Sequence, residues 1–274
     1  MGTSNPEPGE HTAEHLKSIR RRFTDTAASF ADYALARKAG EAEQVAAAIA
    51  GSLAGAGRAS AVDLACGPGT FLRAMAGHVA RAAGVDITPA MLARAREEAA
   101  RAGLANTTFF CAGVEALPFA DASWDISLCG YALHHLLRPA QVIREMARVV
   151  RPGGRLAVVD MILPEGAGAE THNRIERVRD PSHAGTLTVA QLRGLFGEAG
   201  LREIAAEPRQ AQREFDDWMR VAGSEPESAI HAEARGLMEA CLADDSSGFS
   251  ARRDPGTGAL HFTQHLFFLL AEKP

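Results

Sequence analysis

Five short apolar runs, Ala61 to Ala65, Ala82 to Ile87, Thr107 to Ala112, Trp124 to Cys129 and Arg155 to Met161, recur with amphipathic stretches between them. Runs of this length suit buried strands. The intervening Thr70 to Val79, Pro89 to Ala102 and Pro139 to Val150 carry helical spacing. Strands alternating with helices require parallel crossovers, so this part of the chain is confined to an α/β architecture with helices packed on a largely parallel sheet. The third helical stretch is closed by Arg151-Pro152-Gly153-Gly154, where proline stops the helix and glycine supplies the turn.

The flanking regions read differently. Met1 to Glu10 has no periodicity and predicts a mobile tail. From His15 to Ala50, apolar residues at Leu16, Ile19, Phe23, Ala27, Phe30 and Tyr33, then Val45, Ala48 and Ile49, predict two or three helices, broken at Gly51 to Gly57. Beyond Pro164 the alternation lapses. Glu165 to Pro181 is polar, Thr188 to Ala199 is a helix capped by Thr188, and Leu201 to Glu207 is a candidate sixth strand. Phe215 to Leu242 reads as one or two helices, Asp244 to Gly258 as a loop, and Leu260 to Leu270 as a final strand. The expected organisation is a tail (1–14), N-terminal helices (15–55), a core (56–164), remaining core elements with an insertion (165–258) and the last strand (259–274).

A chain of 274 residues, 46% hydrophobic, fits one large α/β unit with such an insertion. Aromatics make up only 6% and the formal net charge is -5, which argues against a nucleic-acid partner. Cys66, Cys111, Cys129 and Cys241 are widely spaced with no C-x-x-C pair, as in a reduced cytoplasm. The longest apolar runs, such as Leu266 to Ala271, are too short to span a bilayer, so neither export nor a membrane anchor is expected. His11 with His15, and His261 with His265, have the i, i+4 spacing of helical zinc ligands, but neither has the HExxH glutamate. The second pair falls in a probable strand, where four residues span roughly 13 Å, and no metal site is expected.

The sharpest motif is Val62-Asp63-Leu64-Ala65-Cys66-Gly67-Pro68-Gly69-Thr70-Phe71, a strand entering a glycine turn and then a helix. Gly67 and Gly69 let backbone approach a ligand, and the helix start offers unpaired N–H groups to an anionic end. Leu72 stands where a dinucleotide fingerprint needs its third glycine, which disfavours a nicotinamide dehydrogenase. Gly84-Val85-Asp86-Ile87-Thr88-Pro89 ends a second strand in an acid, placed beside the first in a doubly wound sheet and able to accept both hydroxyls of a ribose.

With Leu117-Pro118-Phe119, Trp124-Asp125, Ala132-Leu133-His134-His135-Leu136 and Val149-Val150-Arg151-Pro152-Gly153-Gly154, these residues resemble class I S-adenosylmethionine-dependent methyltransferases. The most similar group is the one that includes ubiquinone and menaquinone C-methyltransferases and many small-molecule methyltransferases. The resemblance covers about Phe23 to Leu201 and is specific to fold and cofactor, not to substrate. It implies a Rossmann-like, doubly wound, mostly parallel seven-stranded sheet with the last strand antiparallel, plus N-terminal helices and a helical substrate insertion. It places Asp63, Ala65, Gly67 and Gly69 around the methionine moiety, Asp86 at the ribose, and Ile87 and Met91 beside the adenine. Gly113 and Val114 match the loop after the third strand, where relatives commonly carry an adenine-recognising aspartate and this chain has Gly113. Cys129 is placed near the sulfonium, and Tyr33 over the cofactor's carboxylate.

Methyl transfer from a sulfonium is an in-line displacement, so alignment and water exclusion matter most, with a base needed only where the acceptor loses a proton. His134, His135, Tyr131 and His183 are the base candidates, and His183 is favoured because Arg179-Asp180-Pro181-Ser182-His183 lies on the insertion expected to roof the pocket. Substrate contacts are expected from Tyr131, His134, Arg179 and His183. The expected activity is methylation of a carbon or oxygen of a small aromatic or polyketide-like acceptor. The alternative is a protein that binds the cofactor without transferring its methyl group. Association into a homodimer is left open.

Overall fold

The computed structural model describes residues 8–274, with side chains from residue 13 onward. Residues 1–7 of the expected tail, and the side chain of His11, lie outside the described residues. Residues 8–14, assigned to the tail, instead open helix α1 (Pro8–Asp25), whose polar first turns carry no apolar periodicity to announce a helix. Helix α2 (Ala27–Gly51) follows and buries Ala42, Val45, Ala46 and Ile49 against the sheet layer.

Among the described residues eight strands form one sheet: β1 (Ser60–Leu64), β2 (Arg81–Asp86), β3 (Thr107–Cys111), β4 (Trp124–Gly130), β5 (Val150–Met161), β6 (Arg202–Glu214), the two-residue β7 (Arg252–Arg253) and β8 (Leu260–Glu272). The order is β3-β2-β1-β4-β5-β8-β6, with β7 beside the start of β8. Pairings from β3 through β5 are parallel, and β8 runs antiparallel to both β5 and β6. The last strand is thus antiparallel, as the resemblance implies, and β7 adds a short eighth strand. Helices α3 (Thr70–Ala76), α4 (Pro89–Arg101) and α5 (Pro139–Val149) make the crossovers, with Pro89 and Pro139 in the first turn, where a missing N–H costs nothing.

Alternate residues of the central strands face opposite layers. Val62 and Leu64 of β1 join Ile143, Met146 and Leu156 on one face, while Ala61 joins Phe71, Met75 and Ile49 on the other. With both faces covered, β1 is buried at every position, which is why it reads as a continuous apolar run. A third cluster, including Ile175, Phe215, Met219, Met238, Phe249 and Phe262, is the core of the insertion.

Three elements differ from the sequence reading. Helix α6 (Ala169–Arg179) occupies the segment read only as polar, because its buried face is His172, Ile175 and Glu176, helical in spacing but not apolar. Strand β6 runs on past Pro208 to Glu214; β6 is an edge strand, where a proline's missing N–H breaks no ladder. Strand β5 begins at Val150, and Arg151 to Gly154 form an irregularity between the pairs Trp124–Val150 and Ile126–Arg155. A Cβ on Gly154 would lie 2.6 Å from the Asp125 carbonyl oxygen, so only glycine fits there. The remaining helices are α7 (Val189–Glu198), α8 (Phe215–Val221) and α9 (Ala229–Ala240). Helix α7 has a full capping box between Thr188 and Gln191.

Candidate active site

Strand order reverses between β1 and β4, and a crevice opens beyond the carboxyl ends of the strands there. One continuous cavity fills it, floored by the sheet ends, roofed by α1 and α2, and extended under α6, α8 and the ends of β6 and β8.

At its first end lies the turn after β1. Ala65 and Gly67 both take φ +52°, and Gly69, the residue before α3, takes φ +81°. These angles fold the chain sharply enough that Cys66 N–H bonds the Val85 carbonyl at 3.0 Å and Gly69 N–H the Cys66 carbonyl at 2.9 Å. Asp86 ties the two strand ends together: its carboxylate accepts from Gly67 N–H at 2.9 Å and from Thr88 N–H at 2.8 Å. Burial raises the Asp86 carboxyl above the usual range, opposed by these two bonds. Behind it, burial and the nearby Asp86 charge hold Asp63 well above that range.

Ala65, Gly67, Asp86, Ile87 and Met91 all reach the cavity wall, and Gly113, Val114 and Tyr33 complete this end. Asp63, Gly69 and Cys129 do not. Asp63 and Gly69 support the turn from behind. Cys129 is a correction: it lies inside β4, fully buried in the core, and it is Gly130 and Tyr131 that reach the cavity from that strand.

The middle of the cavity is built by the loop after β4. Tyr131 takes φ +54°, a costly conformation for a bulky residue. It is held there by a bond from its N–H to the Val159 carbonyl at 2.7 Å and from its hydroxyl to Glu41 at 2.8 Å. His134 follows, and its Nδ1 lies 2.6 Å from Asp160 Oδ1, a buried pair at the end of β5. Burial alone would lower the His134 pKa, but the Asp160 charge and hydrogen bond outweigh it and raise the histidine. Asp160 moves the opposite way: burial would raise it, and His134 holds it below the usual carboxylate range. With Nδ1 bound to Asp160, Nε2 is the ring nitrogen left for a ligand.

The other histidines are differently placed. His135 lines the cavity, but its Nδ1 bonds the Ser182 carbonyl at 3.2 Å, and burial with the neighbouring His134 lowers it to about 3. His183, the favoured base, does not reach the cavity. Its Nε2 donates to Asn173 Oδ1 at 2.8 Å, its ring packs 5.7 Å from that of His134, and burial, then His134, lowers it to about 2. The motif around it orders the roof: Asp180 accepts from Ser182 N–H and Oγ–H and faces Arg22 of α1 at 3.3 Å. Arg179 does line the cavity, stacked on Trp218.

The sequence reading missed Asp160, Lys38, Arg213 and Gln264. Asp160 carried a signal, a lone acid in the apolar run Val158 to Met161. Arg213 fell beyond the expected end of its strand. His261 and His265 lie on β8 opposite Glu214 and Gln210. Among the described residues no group of three or more potential ligands is gathered for a metal, and no helix is long and apolar enough to cross a membrane.

The fold and turn–acid pair define a Rossmann-like protein with a cofactor cleft at its switch point. The cleft suits a polar, adenosyl-type group. Thr70 Oγ1 and Thr88 Oγ1, on wall residues beside the turn, are buried without partners, and a side chain on Gly113 would meet open space. Residues 62–158 match the family described as Methyltransferase domain. The chain is 31% identical over 164 residues to the uncharacterized methyltransferase YcgJ of Bacillus subtilis, covering 60% of this chain and 65% of YcgJ. It is 36% identical over 154 residues to the 27-O-demethylrifamycin SV methyltransferase of Amycolatopsis mediterranei, covering 55% of each. The matched part therefore spans between half and two thirds of these two relatives. A Bacillus halodurans C-125 protein described as a methyltransferase superposes with a TM-score of 0.76 at 25% identity, over 86% of this chain and 98% of that one. Residues 62–158 thus carry a methyltransferase domain, and the fold and motifs around it are those of class I S-adenosylmethionine-dependent methyltransferases.

Proposed function

We propose that this protein transfers a methyl group from S-adenosylmethionine to a carbon or oxygen of a small, largely apolar acceptor, with His134 as the general base. The observation that carries the reading is that one cavity joins the glycine turn and Asp86 at one end to the His134–Asp160 pair in its middle.

In this reading Gly67 and Ala65 receive the methionine end, Asp86 the ribose, and Ile87, Met91, Gly113 and Val114 the adenine. Tyr33 covers the carboxylate. Bound there, the cofactor supplies an electrophilic methyl group on a sulfonium. Asp160 fixes Nδ1–H of His134, so Nε2 presents its lone pair to the acceptor's proton, the arrangement that a positioned imidazole base requires. Phe71, Met161, Trp218 and Val221 give the acceptor region apolar walls that displace water. The name of the demethylrifamycin relative indicates an oxygen acceptor, one of the two acceptor atoms proposed here. Tyr131, with its hydroxyl committed to Glu41 and its ring against Lys38, shapes the site as a substrate contact.

Calorimetry provides the test. The wild-type chain is expected to bind S-adenosylmethionine, and Asp86→Ala to bind it at least about 100-fold more weakly, the loss of two hydrogen bonds to a charged group. Equal affinities would refute the cofactor assignment. Tight binding with no S-adenosylhomocysteine formed from any acceptor would instead favour a non-methylating cofactor protein.

A further inference from the structure

We infer that the acceptor carries an anionic group, a carboxylate or a phosphate, seated against Arg213 and Lys38 at the end of the cavity remote from the glycine turn. The inference rests on the methyltransferase reading and refines its substrate class.

Three cationic side chains line this end: Lys38 from α2, Arg179 from α6 and Arg213 from β6. The nearby carboxylates each face a partner, although Glu176 Oε1 accepts no hydrogen bond. Glu41 accepts from Tyr131 and faces Arg209 at 3.5 Å, Asp160 holds His134, Asp180 faces Arg22, and Glu176 lies 3.8 Å from Arg179. Among the described residues, neither Lys38 nor Arg213 has a carboxylate within 4.0 Å. Arg213 is aimed by a neutral partner instead: its Nε and Nη2 donate to Gln264 Oε1 at 3.2 and 3.1 Å, leaving Nη1 uncommitted. Lys38 sits over the Tyr131 ring, and burial, with the Arg213 and Arg179 charges adding to it against Glu41 and Asp160, lowers its pKa to about 7. The Trp218 indole Nε1, in the same wall, has no partner. Donors thus outnumber acceptors here, and these half-buried cations would gain a counter-charge from an anion in the cavity.

The cofactor's own carboxylate is the competing source of that charge. Their positions in the fold differ: Arg213 comes from the far end of the edge strand β6 and is held by Gln264 of β8, whereas the glycine turn follows β1. Arg213 therefore addresses the second molecule in the cavity.

The test is calorimetry on protein saturated with S-adenosylhomocysteine, using 3-phenylpropionate, phenyl phosphate and the neutral 3-phenylpropanamide as probes. At least one acid is expected to bind at least about tenfold more tightly than the amide, and the stronger acid identifies carboxylate or phosphate as the source. Arg213→Gln should abolish that preference with S-adenosylhomocysteine affinity unchanged, and Arg213→Lys should keep part of it. Failure of both acids to bind, equal binding of acid and amide, or a preference unchanged in Arg213→Gln overturns the inference. So does a Lys38→Met protein that loses S-adenosylhomocysteine affinity while keeping the acid preference. Failure of the wild type to bind S-adenosylhomocysteine would sink the methyltransferase reading itself.

Discussion

Replacing Asp160 by asparagine isolates the interaction on which the proposed base depends, and its effect can be measured before any acceptor is known. The Asp160 carboxylate meets His134 Nδ1 at 2.6 Å and also accepts from Met161 N–H at 2.7 Å, with both side chains of the pair less than a tenth exposed. Removing one member of a buried ion pair costs about 3–5 kcal/mol. Asparagine keeps an acceptor and His134 can discard its proton, so the lower end, about 3 kcal/mol, applies. At 2–4 °C per kcal/mol that is a fall in Tm of about 6–12 °C. The pH dependence follows from the two opposite shifts. His134 is raised, so its contribution is complete below its unfolded value near 6.5 and is lost as pH rises through its folded pKa. Asp160 is lowered, so its contribution is present above about pH 4 and is lost as pH falls through its folded pKa. The Tm gap between wild type and Asp160→Asn should therefore be widest between about pH 4 and 6.5 and narrow toward pH 9. Proton NMR of the histidine Cε1–H signals should show His134 titrating above the ordinary histidine value in the wild type and lower in the variant, where only the Glu176 and Asp180 charges still oppose burial. A gap that stays constant or widens toward pH 9, or a His134 titration indifferent to the substitution, would refute the reasoning.

Two further outcomes are expected. Gly69→Ala should lower stability by about 1–2 kcal/mol, because alanine must adopt the left-handed φ of +81° with its Cβ 3.2 Å from Ala95 Cβ; an unchanged urea midpoint would argue against strain at the turn. Once an acceptor is found, His134→Gln should reduce kcat/KM by about 10²–10⁴-fold. His183→Gln, which keeps a donor for Asn173 and does not reach the cavity, should change it by less than about tenfold. The reverse ranking in steady-state assays would restore His183 as the base.

The parts of this protein that were legible in the sequence are those whose cause is local. A buried parallel strand must be apolar throughout, a strand-to-helix turn that admits a ligand must carry residues tolerant of positive φ, and a helix start must be capped. Val62 to Phe71, Asp86 and Thr188 announce themselves for those reasons. The second half of edge strand β6, Pro208 to Glu214, and helix α6 did not, because each is held by a distant partner, β8 paired alongside the first and α9 packed beside the second. The same reasoning explains His183. Its motif marks an ordered loop correctly, but whether an ordered histidine faces a cavity or the wall behind it depends on Asn173, ten residues away and unremarkable in the sequence.

That contrast bears on where specificity resides. The cofactor end of the cavity is assembled almost entirely from residues between Ala65 and Val114, consecutive pieces of the strand–helix alternation, so a family resemblance there fixes the donor. The end proposed for the acceptor draws Lys38, Tyr131, Arg179, Arg213 and Gln264 from five segments spread over most of the chain, with β8 placing β6 at the edge of the sheet. A substitution in β6 or α2 can thus change the charge offered to the acceptor without disturbing the turn that holds the donor. Relatives that align well over residues 62–158 are therefore expected to differ in substrate at Lys38 and Arg213, which lie outside that span. Exchanging these two side chains should move acid preference while cofactor affinity stays fixed.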